Sequence, residues 1–282
     1  MTDYILTYEA TLRLSIFIGI LAVMVLWEVL APCRNNQFSR WQRWPSNFGI
    51  VVVNTLLVRL IFPTAAVGLA VVAEERGWGI FNLIDLPVWA EILIAVIVLD
   101  LIIYLQHVMV HAVPVLWRLH RMHHADLDYD VTTGARFHPL EIILSMIIKF
   151  AAVVLLGAPA VAVIIFEVLL NATAMFNHGN IKLPIALDRV LRLFVVTPDM
   201  HRVHHSTLPE ETNSNFGFSI PWWDRLLGTY RAQPKAGHQD MIIGIKQFRE
   251  AKYLRLDWLM IQPFLGGIGN YSVSGRTEES ED

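Results

Sequence analysis

The sequence predicts an all-α membrane protein, a bundle of several spanning helices built around one histidine-rich site. Of its 282 residues, 55% are hydrophobic and 17% are charged, whereas a soluble globular domain usually has about 25% charged residues. The mean hydropathy is +0.47. Ten of the 11 histidines lie between His107 and His205. This composition excludes a disordered chain and disfavours a soluble enzyme.

No feature of the chain divides it, so we expect one integral membrane domain over residues 1–282. The single cysteine, Cys33, allows neither an internal disulfide nor a thiolate metal site. A net charge of -3 gives no basis for binding nucleic acid. Residues 275–282 are polar and acidic, and we predict that they form a disordered tail.

Five apolar runs are candidates for membrane spans. The first, residues 14–30, follows Arg13 and lacks a cleavage site of the A-x-A type, so it predicts a retained transmembrane helix. The second is interrupted by Arg59, and Pro63 predicts a kink. The last two form a hairpin through residues 157–159, and their length leaves open whether they cross fully. The later runs are 48–73, 88–111, 140–156 and 160–175.

The basic loops predict the orientation. Arg34, Arg40 and Arg43 lie between the first two runs, whereas the loop after the second run holds Glu74, Glu75 and Arg76. The positive-inside rule therefore makes the 34–46 loop cytoplasmic. The histidines at 107–138 and 178–205 then share the cytoplasmic face, of the plasma or inner membrane in a bacterium or of the endoplasmic reticulum in a eukaryote.

An amphipathic helix at the membrane surface is predicted over residues 183–194. Its apolar and polar residues fall on opposite faces at helical spacing. The apolar face carries Leu183, Leu187, Val190, Leu191 and Phe194, and the polar face carries Asp188, Arg189 and Arg192.

The histidines recur at the spacings of metal ligands. His107 and His111 are four residues apart, which puts both on one face of a helix. An H-x-x-H-H pattern occurs at 120–124 and again at 201–205, and His178 ends the hairpin on the same side. One such histidine would ordinarily be a surface or core residue, but the set indicates binding of iron, copper, zinc or nickel.

The number of histidines predicts the type of metal site. One zinc ion takes at most about four ligands, whereas two octahedral metals offer about twelve positions. Nine histidines leave the remaining positions for water or O2, which fits a dinuclear iron site that activates oxygen. The nine candidate ligands are His107, His111, His120, His123, His124, His178, His201, His204 and His205.

Carboxylates on the same helical faces are candidate partners of the ligands. Asp100 shares a face with His107 and His111, and Glu167 and Asn171 share one with His178. A carboxylate within a span usually faces the bundle interior, and carboxylates commonly accept the free N–H of a ligating imidazole. The alternative is a structural pair with a neighbouring polar group.

His138 precedes Pro139, the favoured first residue of a helix. The sequence leaves three roles open for it: a tenth ligand, a partner of a ligand, or a residue that begins a helix.

These residues resemble the fatty acid hydroxylase and sterol desaturase superfamily of membrane di-iron proteins. The hallmark of that superfamily is H-x3-H followed by two H-x2-H-H boxes, found here at 107–111, 120–124 and 201–205. The segments around the boxes also match, at 117–120, 132–139, 199–206, 215–217 and 223–230. The resemblance covers about residues 95–232, the expected catalytic region. Val108 departs from it, because many members have arginine there.

The resemblance implies O2-dependent hydroxylation or desaturation of a lipid C–H bond, with two iron ions as cofactors. It also implies an external electron donor, such as a cytochrome b5-like protein, a ferredoxin or a reductase. The competing hypotheses are a histidine-rich metal transporter or sensor, which usually has its site near the bilayer midplane, and a non-catalytic scaffold. The sequence does not indicate which lipid is oxidised.

Overall fold

The computed structural model describes residues 2–273, and the predicted tail at 275–282 lies outside them. Over the described residues the chain is helical and forms no strand, which confirms the predicted all-α class. The helices are α1 Thr2–Thr7, α2 Glu9–Leu30, α3 Arg40–Ile61, α4 Ala66–Glu75, α5 Val88–Ala112, α6 Pro114–His124, α7 Pro139–Leu156, α8 Ala160–Asn177, α9 Ile185–Leu191, α10 Pro198–His204, α11 Pro209–Thr212, α12 Trp222–Leu226, α13 Gly237–Asp240 and α14 Leu256–Ile261.

Five segments among the described residues are long and apolar enough to cross a membrane, as the sequence predicts. They are Glu9–Leu30, Arg40–Asn82, Val88–Ala112, Pro139–Leu156 and Ala160–Asn177. The second is interrupted rather than kinked: α3 ends at Ile61, and α4 begins at Ala66. Pro63 lies in the gap, because proline lacks the N–H that would continue the helix.

The centre of the bundle is the pair α5 and α8, with α2 packed against α8 and with α3 and α4 packed against α7. Small side chains line these contacts and let the helix backbones approach closely. The core that they share includes the buried alanines Ala66, Ala70, Ala95, Ala152 and Ala162.

Gly157 marks the end of the bundle away from the histidines. It ends α7 with φ of 66°, a left-handed conformation that glycine adopts without strain. A Cβ atom there would lie 2.5 Å from the carbonyl oxygen of Trp78. Glycine therefore lets the 78–79 loop contact the tip of the α7–α8 hairpin.

The predicted surface helix is shorter than expected, since α9 covers only Ile185–Leu191. Of the predicted polar face, Asp188 and Arg192 are buried and form an ion pair, whereas Arg189 is exposed. Within α9 the apolar Ile185 and Val190 are exposed by 77% and 55%, whereas Leu183, which precedes the helix, is buried. An outward apolar face is typical of a helix that contacts the lipid at a membrane surface.

Candidate metal centre

Four helices, α5, α6, α8 and α10, bring the predicted ligands together. His107 and His111 occupy the last two turns of α5, and Pro114 begins α6 directly after it. The 11 residues of α6 end in the first H-x-x-H-H box, and α10 carries the second. His178 follows the last residue of α8.

All nine predicted ligands are buried, and they form two adjoining groups. In each group, one candidate ligand atom from every residue lies within 4.8 Å of the others. Rings of the two groups are in contact, for example His123 and His124, whose centroids are 5.3 Å apart. The first group contains His107, His111, His120, His124 and His204, and the second contains His123, His178, His201 and His205.

The Nε2 atoms of neighbouring rings are separated by the distances expected around a metal ion. The His107–His204 distance is 3.0 Å, and the His107–His120 distance is 3.2 Å. In the second group, Nε2 of His178 lies 3.2 Å from Nε2 of both His123 and His201. Metal–nitrogen bonds of about 2.0–2.1 Å place adjacent ligand nitrogens about 3 Å apart.

Backbone carbonyl groups fix the protons of two of these rings. Nδ1 of His107 donates to the carbonyl oxygen of Phe216 at 2.7 Å, and Nδ1 of His204 donates to that of Ser214 at 2.7 Å. Because a carbonyl oxygen only accepts, both protons are on Nδ1 and both Nε2 atoms carry lone pairs. Two lone pairs 3.0 Å apart repel unless a cation lies between them. The arrangement therefore fits a bound metal.

Three further rings are held in the same way by an acceptor at Nδ1. Such partners fix the tautomer and the orientation of a metal-binding histidine. The pairs are His120 with the Glu141 carboxylate at 2.7 Å, His178 with the Ala174 carbonyl oxygen at 2.8 Å, and His111 with Asn213 Oδ1 at 3.1 Å.

Burial keeps six of the candidate ligands outside the spans neutral at physiological pH. Burial lowers the pKa of His178 to about 4. Burial also holds the pKa values of five others well below the ordinary histidine value: His123, His124, His201, His204 and His205. Neutral imidazole is the form that binds metal ions.

The predicted carboxylate partners do not reach the histidines. Asp100 accepts from the indole N–H of Trp223 at 2.8 Å, and Glu167 pairs with Lys149 at 2.6 Å and Arg13 at 2.8 Å. Asp100 and Glu167 share a helical face with the histidines but lie far from them along the helix axis. Seven residues of α5 separate Asp100 from His107, which is about 10 Å, and Glu167 is still farther from His178.

Asn171 does not contact a histidine through its amide either, because its Nδ2 donates to the backbone oxygen of Glu167 at 2.7 Å. His138 lies outside both groups and begins α7. Its Nδ1 accepts from the backbone N–H of Leu140, and its Nε2 lies 3.2 Å from the carbonyl oxygen of Met260. Of its three open roles, this geometry fits the residue that begins a helix.

Asp224 is a positioning residue for which the sequence suggested no role. Its buried carboxylate accepts from the backbone N–H groups of Phe216 and Gly217, at 2.8 and 2.9 Å, and from the Thr229 hydroxyl at 2.7 Å. It thereby fixes the loop whose carbonyl oxygens orient His107 and His204. The only signal was the family motif at 223–230, and that motif does not show what the aspartate contacts.

A buried ionic network anchors the loop after α6. Arg43 binds Asp126 at 2.7 Å and Asp130 at 2.5 Å, and Arg136 lies 3.2 Å from Asp126. The predicted orientation treated Arg43 as a free charge in the loop, and the structure shows that it is not free. Its charge is neutralised inside the protein, where a buried cation requires such partners.

An apolar cavity of about 330 Å³ ends at the histidines. It lies between the α2–α8 and α3–α7 pairs, with His107 and His120 at one end and Lys149 and Glu167 among its other lining residues. Between them the lining is mostly apolar and includes Phe17, Leu21, Ile103, Val110, Met146 and Phe218. Such a space suits a hydrocarbon chain.

The chain is similar in sequence to known lipid hydroxylases. The model of the "Fatty acid hydroxylase" family matches residues 92–229. Ornithine lipid hydroxylase OlsE of Rhizobium tropici is 24% identical over 239 residues, which cover 80% of this chain and 69% of that protein. No solved structure matches the chain.

Two more distant relatives are matched over shorter stretches. Human (Homo sapiens) alkylglycerol monooxygenase is 26% identical over 55% of this chain, and the match spans 34% of that protein. Cholesterol 25-hydroxylase of Rattus norvegicus is 24% identical over 51% of this chain and 48% of its own length. The chain thus spans only a third to a half of these two relatives.

Proposed function

Because the chain belongs to the fatty acid hydroxylase superfamily, we propose that it is a membrane monooxygenase that uses O2 to hydroxylate a lipid C–H bond. The family resemblance predicted from the histidine boxes is confirmed. One observation carries the proposal: the first of two adjoining, buried histidine groups lines an apolar cavity within a bundle of membrane-spanning helices. This arrangement brings a hydrocarbon chain to a metal centre.

We propose that the nine histidines hold two iron ions, five around one and four around the other. When bound, the iron pair supplies the oxidising power toward an unactivated C–H bond, which no protein side chain has. The chain itself keeps the Nε2 atoms of His107, His120 and His204 free by holding their protons on Nδ1. The imidazole donor set suits iron.

The cavity is proposed to bind the hydrocarbon portion of the substrate. Met146 and Phe218 help to line it, and Phe137 stacks on His123 with ring centroids 4.6 Å apart. Apolar side chains at this position keep bulk water away from the reacting carbon. The proposed substrate is a lipid, since two relatives are named for an ornithine lipid and for alkylglycerol.

The metal centre is proposed to face the cytoplasm. Since Arg43 is neutralised, the orientation rests on the charges of two loops: Arg34 and Arg40 precede the second span, and Glu74 and Glu75 follow it. The basic residues after α8 support the same orientation. Two electrons per turnover then come from a cytoplasmic donor. A transport function is not favoured, because the lining of the cavity that reaches the histidines is mostly apolar and an ion path needs polar groups.

The test is a lipid oxidation assay with isotopically labelled oxygen. Iron-loaded protein in nanodiscs of mixed membrane lipids is given a reductant and ¹⁸O2, and the lipids are analysed by mass spectrometry. We expect a lipid product that carries one labelled oxygen atom. The His123→Ala protein is expected to form none. Loss of two hydrogens without added oxygen would indicate desaturation instead, and unchanged lipids with reduced, iron-loaded protein would overturn the proposal.

A further inference from the structure

A second concavity, polar in character, lies on the other side of the loop after α6. It has a volume of about 230 Å³, and its lining includes Arg34, Asn36, Asp128, Tyr129, Asp240 and Arg249. Residues 127–129 of the loop line this polar depression, whereas residues 131–137 line the apolar cavity. The loop therefore separates an apolar approach to the histidines from a polar one.

Tyr129 is the aromatic residue among those that line the polar depression, and it contacts the second histidine group. Its ring stacks on His178, with centroids 5.7 Å apart, and meets the edge of His205 at 5.1 Å. Its hydroxyl donates to the backbone oxygen of Asn177, and the Arg202 guanidinium lies 5.5 Å from its ring centroid. The ring is thus fixed between the depression and two candidate ligands.

We propose that electrons enter the metal centre from the polar depression through the ring of Tyr129. This inference rests on the proposed function, because hydroxylation consumes one O2, two electrons and two protons and yields the alcohol and one water. A one-electron iron–sulfur or haem protein supplies the electrons in two successive transfers. Tyr129 conducts them by tunnelling and is a neutral phenol before and after each transfer.

The lining of the polar depression fits a hydrophilic donor and not a lipid. Arg34 donates to the carbonyl oxygens of His238 and Met241, and Asp128 accepts from the backbone N–H groups of Gln37 and Phe38 at 2.8 Å. Charges of both signs surround the opening, and these hydrogen bonds hold its shape. A donor bound here would be separated from the histidines by little more than one aromatic ring.

Other aromatic side chains that contact the histidines do not line the polar depression. Phe137 stacks on His123 but lines the apolar cavity. Trp117 lies 4.8 Å from His111, but it does not line the polar depression, and its indole N–H donates to the backbone oxygen of Ile268. Tyr129, by contrast, contacts two candidate ligands and also lines the polar depression.

The experiment measures reduction of the iron-loaded protein without lipid substrate. Anaerobic ferric protein is mixed with reduced methyl viologen, and the loss of its absorbance is followed by stopped flow. We expect Tyr129→Leu to slow reduction by an order of magnitude or more at unchanged iron content. Tyr129→Phe keeps the ring, so we expect it to preserve the rate.

A second variant tests the polar depression without altering Tyr129. Ile242 lines the depression and is 59% exposed. In a Cys33→Ser background, which removes the native thiol, Ile242→Cys carrying a bulky maleimide should slow reduction relative to the same protein without the label. Wild-type rates for both Tyr129→Leu and the labelled protein would overturn the inference while lipid hydroxylation by the wild type stands. Wild-type protein that is reduced normally and oxidises no lipid would instead overturn the proposed function.

Discussion

The carboxylate of Glu141 accepts a hydrogen bond from Nδ1 of His120 at 2.7 Å, and both side chains are buried. The bond connects the first turn of α7, which lines the apolar cavity, to the first histidine group. It places the imidazole proton on Nδ1 and directs Nε2 toward the metal position. Glu141 thus has the role that the sequence analysis assigned to Asp100 and Glu167.

Replacing Glu141 should weaken metal binding. We predict that Glu141→Ala lowers iron affinity about 10–100-fold, the usual effect of losing a residue that orients a ligating histidine. Glu141→Gln keeps an acceptor oxygen and should retain most of the affinity. Titration of the metal-free proteins with Fe²⁺ measures both. Wild-type affinity in Glu141→Ala would show that the hydrogen bond does not orient a ligand.

Removing the Asp224 carboxylate should loosen the loop that holds His107 and His204. Asp224→Ala leaves buried donors without an acceptor, which costs about 1–3 kcal/mol per group. We predict a free energy of unfolding lower by several kcal/mol, measured by denaturant titration in detergent. Asp240→Ala, at an exposed aspartate, is the control and should unfold like the wild type. Equal stability of both variants would contradict the proposed positioning role.

Filling the apolar cavity should block the substrate and spare the metals. Met146 lines the cavity, whereas its neighbour Ile147 is 52% exposed on the outside of α7. We predict that Met146→Trp loses most lipid oxidation with unchanged iron content, because the larger ring occupies the substrate space. Ile147→Trp should keep full activity. If Met146→Trp oxidises lipid as fast as the wild type, the substrate binds elsewhere.

The metal-free protein should lose stability in weak acid. Burial lowers the pKa of His178 to about 4, while an unfolded histidine titrates near 6.5. The unfolded state therefore binds more protons in this interval, so the free energy of unfolding falls as the pH drops from about 6.5 to 4. Burial also lowers the pKa values of five other histidines, which should steepen the fall: His123, His124, His201, His204 and His205. Unfolding midpoints across this range test the prediction, and a flat profile would contradict it.

The sequence predicted which histidines lie together, because the spacing within each histidine motif is local. Helical spacing aligns His107 with His111, and each H-x-x-H-H box acts within a single turn or so. Membrane topology then brings these turns to one end of the bundle. The apolar runs likewise predicted all five spans. At Pro63, however, the helix is interrupted between α3 and α4 and not kinked as expected.

The partners of the ligands could not be predicted because they are contacts between distant segments. The Phe216 carbonyl oxygen reaches His107 across 109 residues, and Asn213 reaches His111 across 102. The error over Asp100 has a different cause. Periodicity gives the face of a helix but not whether a short side chain can span the rise between two residues. Arg43 appeared to be a loop charge because its buried partners lie more than 80 residues away.

The number of iron ions per chain tests the central claim most directly. Elemental analysis of protein reconstituted with Fe²⁺, with the protein quantified by amino-acid analysis, should give two irons per chain in the wild type. His138→Ala should also give two, because His138 lies outside both groups, whereas His123→Ala should give fewer. One iron or none in the wild type, or loss of iron in His138→Ala alone, would contradict the account.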